Sequence, residues 1–434
     1  AGTARPDWPD TVFPAGRVAA TQTGHASLAG IARDLRTTDV HPPLYFWAVA
    51  AWRPVFGPSL FAVRMLSVLF GLVSLGLTGT IAQRLGIRPV TAMLLTLGCY
   101  GFVYTNAIAR GFAPAETLTL GGVTLLLGRR PVLAGVCLGA ACCCNYLAVF
   151  VAAAVIVVTL SWRAVPAAIP FLAIDAWFFA AQHGARPGQF PPFAVWPSLL
   201  RSAKYQVAAV FGGLPLYVDG IGRIVVGAMV AVVAIGTAAA IAKTRPSRPE
   251  IRLVAAASVA PPIGLLLLGF VFNNTPIELR YFSFGLPFVA LLVAWATPPN
   301  RGVRFVLPIV LTVQCVGIAG LLLSPRIMQP YRTAAAEAAN VVGDGIVLLP
   351  RGNDGVGIVG AFAIEAPPAL PILLLRPTDP IAERIRPYRR VVLADLPQDR
   401  DSIATIQAIH TALSAPGWRR VAVRSDVEAY ERRQ

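Results

Sequence analysis

Charged residues are scarce in this sequence. They fill 13% of its 434 positions, against about a quarter in a typical soluble domain. Hydrophobic residues make up 56%, and they lie in long blocks rather than evenly spread. A water-soluble fold this apolar has too little polar surface to cover itself, whereas a bilayer accepts such blocks. The composition excludes an ordinary soluble protein. Acids are the scarcer sign, with 21 Asp and Glu against 37 Lys and Arg and a net charge of +16. Placement decides what that surplus means. Arg84, Arg88, Arg129, Arg130, Arg163, Lys243, Arg245, Arg248, Arg252, Arg301 and Arg304 all fall in short connections between apolar blocks, with Glu250 the only acid among them. That is the pattern of cytoplasmic loops, and nucleic acid is left without support as a partner.

Other signals are missing too. Cys99, Cys137, Cys142, Cys143, Cys144 and Cys315 lie inside apolar segments, without the paired spacing or histidines of a zinc site. They read as small hydrophobes. Gly343, Gly345, Gly352, Gly355, Gly357 and Gly360 cluster near the C-terminus, but no Gly-x-Gly-x-x-Gly run opens a helix, so a dinucleotide site is not indicated. No internal repeat is visible. The first forty residues are polar and carry no signal-peptide pattern, and a hydrophobic helix is expected upstream of Ala1.

What is present is a series of apolar segments. A helix needs roughly 20 apolar residues to cross the hydrocarbon core. The candidates are 60–83, 89–107, 111–127, 131–145, 147–162, 164–182, 218–242, 252–272, 281–297 and 303–323. Threaded alternately with 1–59 outside, they put the basic connections after 83, 127, 162, 242 and 297 in the cytoplasm. Merging 131–162 into one span would move later basic loops to the wrong side, so the charge pattern favours ten spans over nine. The outward connection 183–217 holds a Pro-, Phe- and Trp-rich stretch, Arg186–Phe193 and Trp196-Pro197. It suits an interfacial connection or a lid over a lipid-facing cavity.

From about residue 325 the composition turns soluble, with fourteen basic and twelve acidic residues between Ser324 and the end. Strand-like runs at Gly345–Pro350, Pro371–Leu375, Arg390–Ala394 and Arg419–Arg424 alternate with helical stretches at 331–342, 354–364 and 399–413. The alternation predicts a small α/β layer structure with a partly parallel sheet. The expected division is an outward loop with amphipathic helices over 1–58, a transmembrane domain over 59–324 and an extracytoplasmic α/β domain over 325–434.

The most informative stretch is Asp39-Val40-His41-Pro42-Pro43-Leu44-Tyr45, followed by Phe56-Gly57 and Arg64. The two prolines stop the preceding chain and fix the start of a new helix, which holds Asp39 and His41 at the membrane surface. This run resembles the Asp-x-His-Pro-Pro-Leu-Tyr motif of family 39-type and family 83-type glycosyltransferases of the GT-C superfamily. Arg110, after Tyr104–Ala109, matches the arginine of a second motif of that family. Asn145-Tyr146 resembles its His-Tyr or Lys-Tyr, and Leu279-Arg280-Tyr281 with Pro287 resembles the Arg-Tyr that opens a late helix. All of these fall on the outward side of the charge-derived topology.

The resemblance implies an all-α polytopic membrane domain of GT-C type with a C-terminal soluble α/β domain. It implies a multi-pass protein of a bacterial inner membrane, with the N-terminal loop and C-terminal domain outside. The implied activity moves a sugar from a polyprenyl-phosphate donor to an envelope lipid, glycan or protein acceptor, with membrane lipids around it. Asp39 and Asp10 are the candidate catalytic acids. His41, Arg110, Glu116, Tyr146, Glu278 and Arg280 are the candidate substrate-binding residues. Arginine suits a phosphate because its guanidinium makes paired charged hydrogen bonds to such oxygens. A divalent metal is left open as a cofactor, and no compact carboxylate–histidine cluster marks a site for it.

Three features stand outside the resemblance. Where relatives carry an acid early in the first outward loop, this chain reads Phe13-Pro14-Ala15-Gly16. Either Asp7, Asp10 or Asp39 substitutes, with Asp10 nearest the usual place, or a different base serves, or the chain is a catalytically weakened relative. The Gln-Glu before the second arginine motif is replaced by Ala107-Ile108. Asp175 sits in the middle of an apolar segment, where an acid is a functional candidate by default. The rival readings are a lipid or solute transporter or flippase, and a catalytically weakened GT-C-like scaffold.

Overall fold

The computed structural model describes residues 8–24, 26–182, 190–213, 221–244, 248–297, 305–323, 330–352, 357–424 and 426–433. The chain divides into two compact units. One is Ile31–Ile327, and the other joins Ala1–Gly30 to Met328–Gln434.

In the first unit, the helices Leu60–Arg84, Trp162–Gln182, Pro249–Phe272 and Leu279–Ala296 are long and apolar enough to cross a membrane. Pro89–Gly98 and Tyr100–Ala107 form a fifth span if taken together, bent by 74° at Cys99. Shorter apolar helices occupy Phe112–Leu127, Pro131–Cys144, Ala148–Thr159, Ile224–Ala239 and Val306–Gly320. Each of the ten expected segments therefore holds an apolar helix, and 131–162 is two helices separated by a turn at Asn145. Leu72, Val90, Leu133, Ile235 and Leu267 are exposed, as side chains facing lipid are. The chain is a multi-pass membrane protein.

The bend at Cys99 disrupts the local backbone ladder. Gln314, buried on the Val306–Leu323 helix, answers it by donating from Nε2 to the carbonyls of Leu95 at 3.1 Å and Val210 at 2.9 Å. Ahead of the first long span, the amphipathic helix Leu44–Phe56 begins straight after Pro43. Its Tyr45 and Val49 pack on Leu66. The expected connection 183–217 is partly helical, over Val195–Val210, with Ser198 and Ser202 buried. Its segment Arg186–Gln189 lies outside the described residues.

The second unit is built on a six-stranded sheet of order β1-β3-β2-β4-β6-β5. The strands are β1 (Phe13–Pro14), β2 (Ile346–Pro350), β3 (Pro371–Leu375), β4 (Arg390–Ala394), β5 (Trp418–Val423) and β6 (Val427–Arg432). β2, β3 and β4 run parallel, while β1, β5 and β6 pair antiparallel at the two sides. Val347 and Leu349 enter one core and Ile346 and Leu348 the other, so β2 is buried on both faces. A near-continuous apolar run is what such a strand requires. Helices at Tyr331–Val342, Gly357–Glu365 and Arg400–Leu413 flank the sheet close to where the alternation predicted them.

The N-terminal boundary differs from the expected division. Residues 1–58 were expected as one outward loop, but Ala1–Gly30 belongs with the α/β unit. The reason is hydrophobic. Trp8, Phe13, Ala15 and Val18 are buried in the same core as Val347, Leu349 and Phe362. Ala15 and Gly16 complete the pairing by donating to the carbonyls of Leu370 at 2.9 Å and Pro368 at 2.8 Å.

Candidate functional site

The Pro42-Pro43 pair sets the geometry around His41. Between the helices Leu28–Thr38 and Leu44–Phe56 the chain turns, and Asp39 Oδ1 accepts from the Val40 N–H at 2.8 Å. The same oxygen accepts from His41 Nδ1 at 2.9 Å, so His41 is oriented by a carboxylate. Its backbone is held as well, because the His41 carbonyl accepts from Gln182 Nε2 at 2.9 Å. Gln182 also donates to the Leu35 carbonyl at 2.9 Å and accepts from the Tyr146 hydroxyl at 2.8 Å. One buried amide therefore ties Tyr146 to the His41 turn. Gln182 was missed in the sequence because a lone glutamine at the end of an apolar helix reads as an interface residue.

Arg110 follows the Tyr100–Ala107 helix and precedes Phe112–Leu127. Gly111 lets that turn approach the Asn145 turn closely: a Cβ there would lie 2.0 Å from the Cys144 carbonyl oxygen. Among the described residues the Arg110 side chain makes no hydrogen bond or ion pair, while its backbone N–H donates to the Ile108 carbonyl at 2.9 Å. Desolvation by surrounding protein and the like charge of Arg280 lower its pKa from the ordinary arginine value, while Asp39 opposes them. Arg280 opens the Leu279–Gly285 turn of 3-10 helix, lies 5.3 Å from the Tyr281 ring centroid and leaves its buried Nε without a hydrogen-bond partner.

These residues converge. His41, Arg110, Tyr146 and Arg280 line a single cavity of about 390 Å³, together with Asp175. Much of the remaining wall is apolar, from Phe112, Val149, Phe150, Leu172, Phe179 and Leu268. The cavity thus sets against a hydrocarbon surface two arginines that, among the described residues, form no ion pair with a carboxylate. That combination complements an amphiphile with an anionic head.

The other sequence candidates are placed elsewhere. Glu116 does not line the cavity; it is buried, with Oε2 3.5 Å from the Asn106 amide and Oε1 unpartnered. Glu278 bonds Arg201 at 3.0 Å, and Arg201 Nε also donates to the Ile277 carbonyl at 2.9 Å. Asp10 is exposed and belongs to the unit containing the sheet, where its backbone carbonyl accepts from Arg384. Asp7 lies outside the described residues. The positions Phe13–Pro14, where the resemblance expects an acid, are β1. Among the described residues no group of three or more His, Cys, Asp or Glu side chains is placed to hold a metal ion.

The fold is similar to that of two crystal structures of ArnT from Cupriavidus metallidurans, one bound to undecaprenyl phosphate and one in the apo state. Each aligns with a TM-score of 0.53 at 13% identity over 96% of this chain, and over 96% and 93% of the respective ArnT chains. No family model matches the sequence, and no curated protein matches it. The architecture is a largely helical membrane unit with a small C-terminal sheet, the fold class expected from the sequence, and it is like that of these ArnT structures.

Proposed function

We propose that this protein is a membrane glycosyltransferase that moves a sugar from a polyprenyl-phosphate donor to an envelope acceptor on the outer face of a bacterial inner membrane. The observation that carries this reading is the cavity in which Arg110 and Arg280, which form no ion pair with a carboxylate among the described residues, face an apolar wall. The likeness to an ArnT structure holding undecaprenyl phosphate supports the lipid class. The basic connections between spans support the outward placement of the motif.

In this mechanism the arginines bind the phosphate and stabilise the negative charge that grows on it as the sugar–phosphate bond breaks. An acceptor hydroxyl attacks the anomeric carbon, and its proton passes to Asp39, which also holds His41 in place. The phosphate leaves with the bonding electron pair. The acceptor is an envelope lipid, glycan or protein.

Asp39→Asn tests the assignment. General-base catalysis contributes roughly 10²–10⁴-fold, so sugar transfer in membranes should fall by that order while lipid phosphate binding persists. Unchanged transfer would remove Asp39 from the mechanism. A second reading, a catalytically weakened scaffold, is favoured by one observation: Phe13–Pro14 is engaged in a strand. It predicts no transfer by the unaltered chain.

A further inference from the structure

Among the described residues Asp175 is the one carboxylate that lines the cavity, and the proposed mechanism does not use it. It lies midway along Trp162–Gln182, 6% exposed, and neither carboxylate oxygen has a hydrogen-bond partner. Burying an ionisable group without partners is strongly unfavourable, and an intramembrane acid of this kind is retained for something it contacts. The protein's own donors nearby are turned elsewhere. The Cys143 thiol, a weak donor, is near enough to Asp175 for a side-chain contact, but its hydrogen bond of regular geometry goes to the Phe171 carbonyl at 3.3 Å. The Tyr146 hydroxyl, also within electrostatic reach, donates to Gln182. Arg110 and Arg280 line the same cavity without forming an ion pair with it.

The cavity therefore keeps an acceptor and two cations separate and leaves all three to a ligand. A phosphate would be drawn to the arginines and repelled by Asp175. A hydrocarbon chain offers no donor. What remains is a part of the ligand rich in hydroxyls, since a carboxylate accepts hydrogen bonds through both oxygens. We infer that Asp175 is a specificity residue that accepts hydrogen bonds from hydroxyl groups of the sugar carried on the lipid phosphate. This rests on the lipid-linked-sugar reading above and assigns the site of its sugar.

The test measures binding of three probes to the purified full chain: undecaprenyl phosphate, undecaprenyl-phosphoryl hexose and undecaprenyl-phosphoryl pentose. The unaltered protein should bind at least one glycosylated lipid more tightly than the bare phosphate. Asp175→Asn should lose about tenfold or more of that affinity, because it weakens a charged acceptor. Its affinity for undecaprenyl phosphate should not fall, which also shows that the variant is folded. Arg110→Gln, in contrast, should weaken all three probes. Equal changes on bare and glycosylated lipid, or none, in Asp175→Asn would overturn the assignment while leaving the lipid reading intact. Failure of the unaltered protein to bind any of the three would overturn both.

Discussion

The side-chain amide of Gln182 donates to the backbone carbonyl of His41 at 2.9 Å, across 141 positions of sequence. Through the same side chain the Tyr146 hydroxyl and the Leu35 carbonyl are also satisfied. Gln182→Leu keeps the approximate volume but removes all three partners in a buried place. Each unsatisfied buried group costs about 1–3 kcal/mol. Thermal unfolding should show a clear loss of stability, and lipid phosphate affinity should fall because His41 and Tyr146 lose their alignment. A variant with unchanged lipid binding would mean that Gln182 only braces the bundle.

Arg110 and Arg280 are expected to act on the same phosphate. A hydrogen bond to a charged group contributes about 1.5–3 kcal/mol, so Arg110→Gln and Arg280→Gln should each weaken undecaprenyl phosphate binding by roughly tenfold to a hundredfold. Lysine should recover only part of the loss, because it cannot make the paired contacts of a guanidinium. If either glutamine variant bound the lipid normally, that arginine would be a residue reaching towards the interface rather than a phosphate ligand.

How much of this was legible in the sequence follows from which forces leave periodic traces. The apolar blocks expose the spans, because a bilayer demands continuous hydrophobicity, and β3 and β4 were readable to the residue as apolar runs. β6 (Val427–Arg432) went unread, since its alternation of apolar residues with Glu428, Glu431 and Arg432 resembles a solvated tail. β1 is two residues long and includes Pro14, so no local preference announces it; only the distant core of Val347 and Phe362 does. In the site, motif residues were visible because they come in clusters. Gln182 and the close approach at Gly111 depend on contacts between distant segments, which a single chain does not display.

Glu116 separates binding from architecture. It is buried away from the cavity lining, with one oxygen near Asn106 and the other unpartnered. Replacing a poorly compensated buried acid by its amide isostere is often neutral or stabilising. Glu116→Gln should therefore unfold at the same or a higher temperature and bind undecaprenyl phosphate as the unaltered chain does. A loss of lipid affinity would return Glu116 to the site from which the cavity geometry excludes it.

Phe13 marks the sharpest departure from the motif pattern, and it offers a direct choice between an active enzyme and a weakened relative. Its ring stacks on Trp8 with centroids 6.1 Å apart, it is 4% exposed, and its backbone pairs with Ile372. Phe13→Asp would supply an acid where the motif resemblance expects one, but in a dry core. An unpaired polar group there costs several kcal/mol, and a charge more. The substitution should lower the unfolding temperature of the chain and loosen its N-terminal segment, read as faster amide exchange over 8–23, without raising sugar transfer. If transfer rose instead, the strand would be masking a position that chemistry needs, and the acid assigned to Asp39 would have to move.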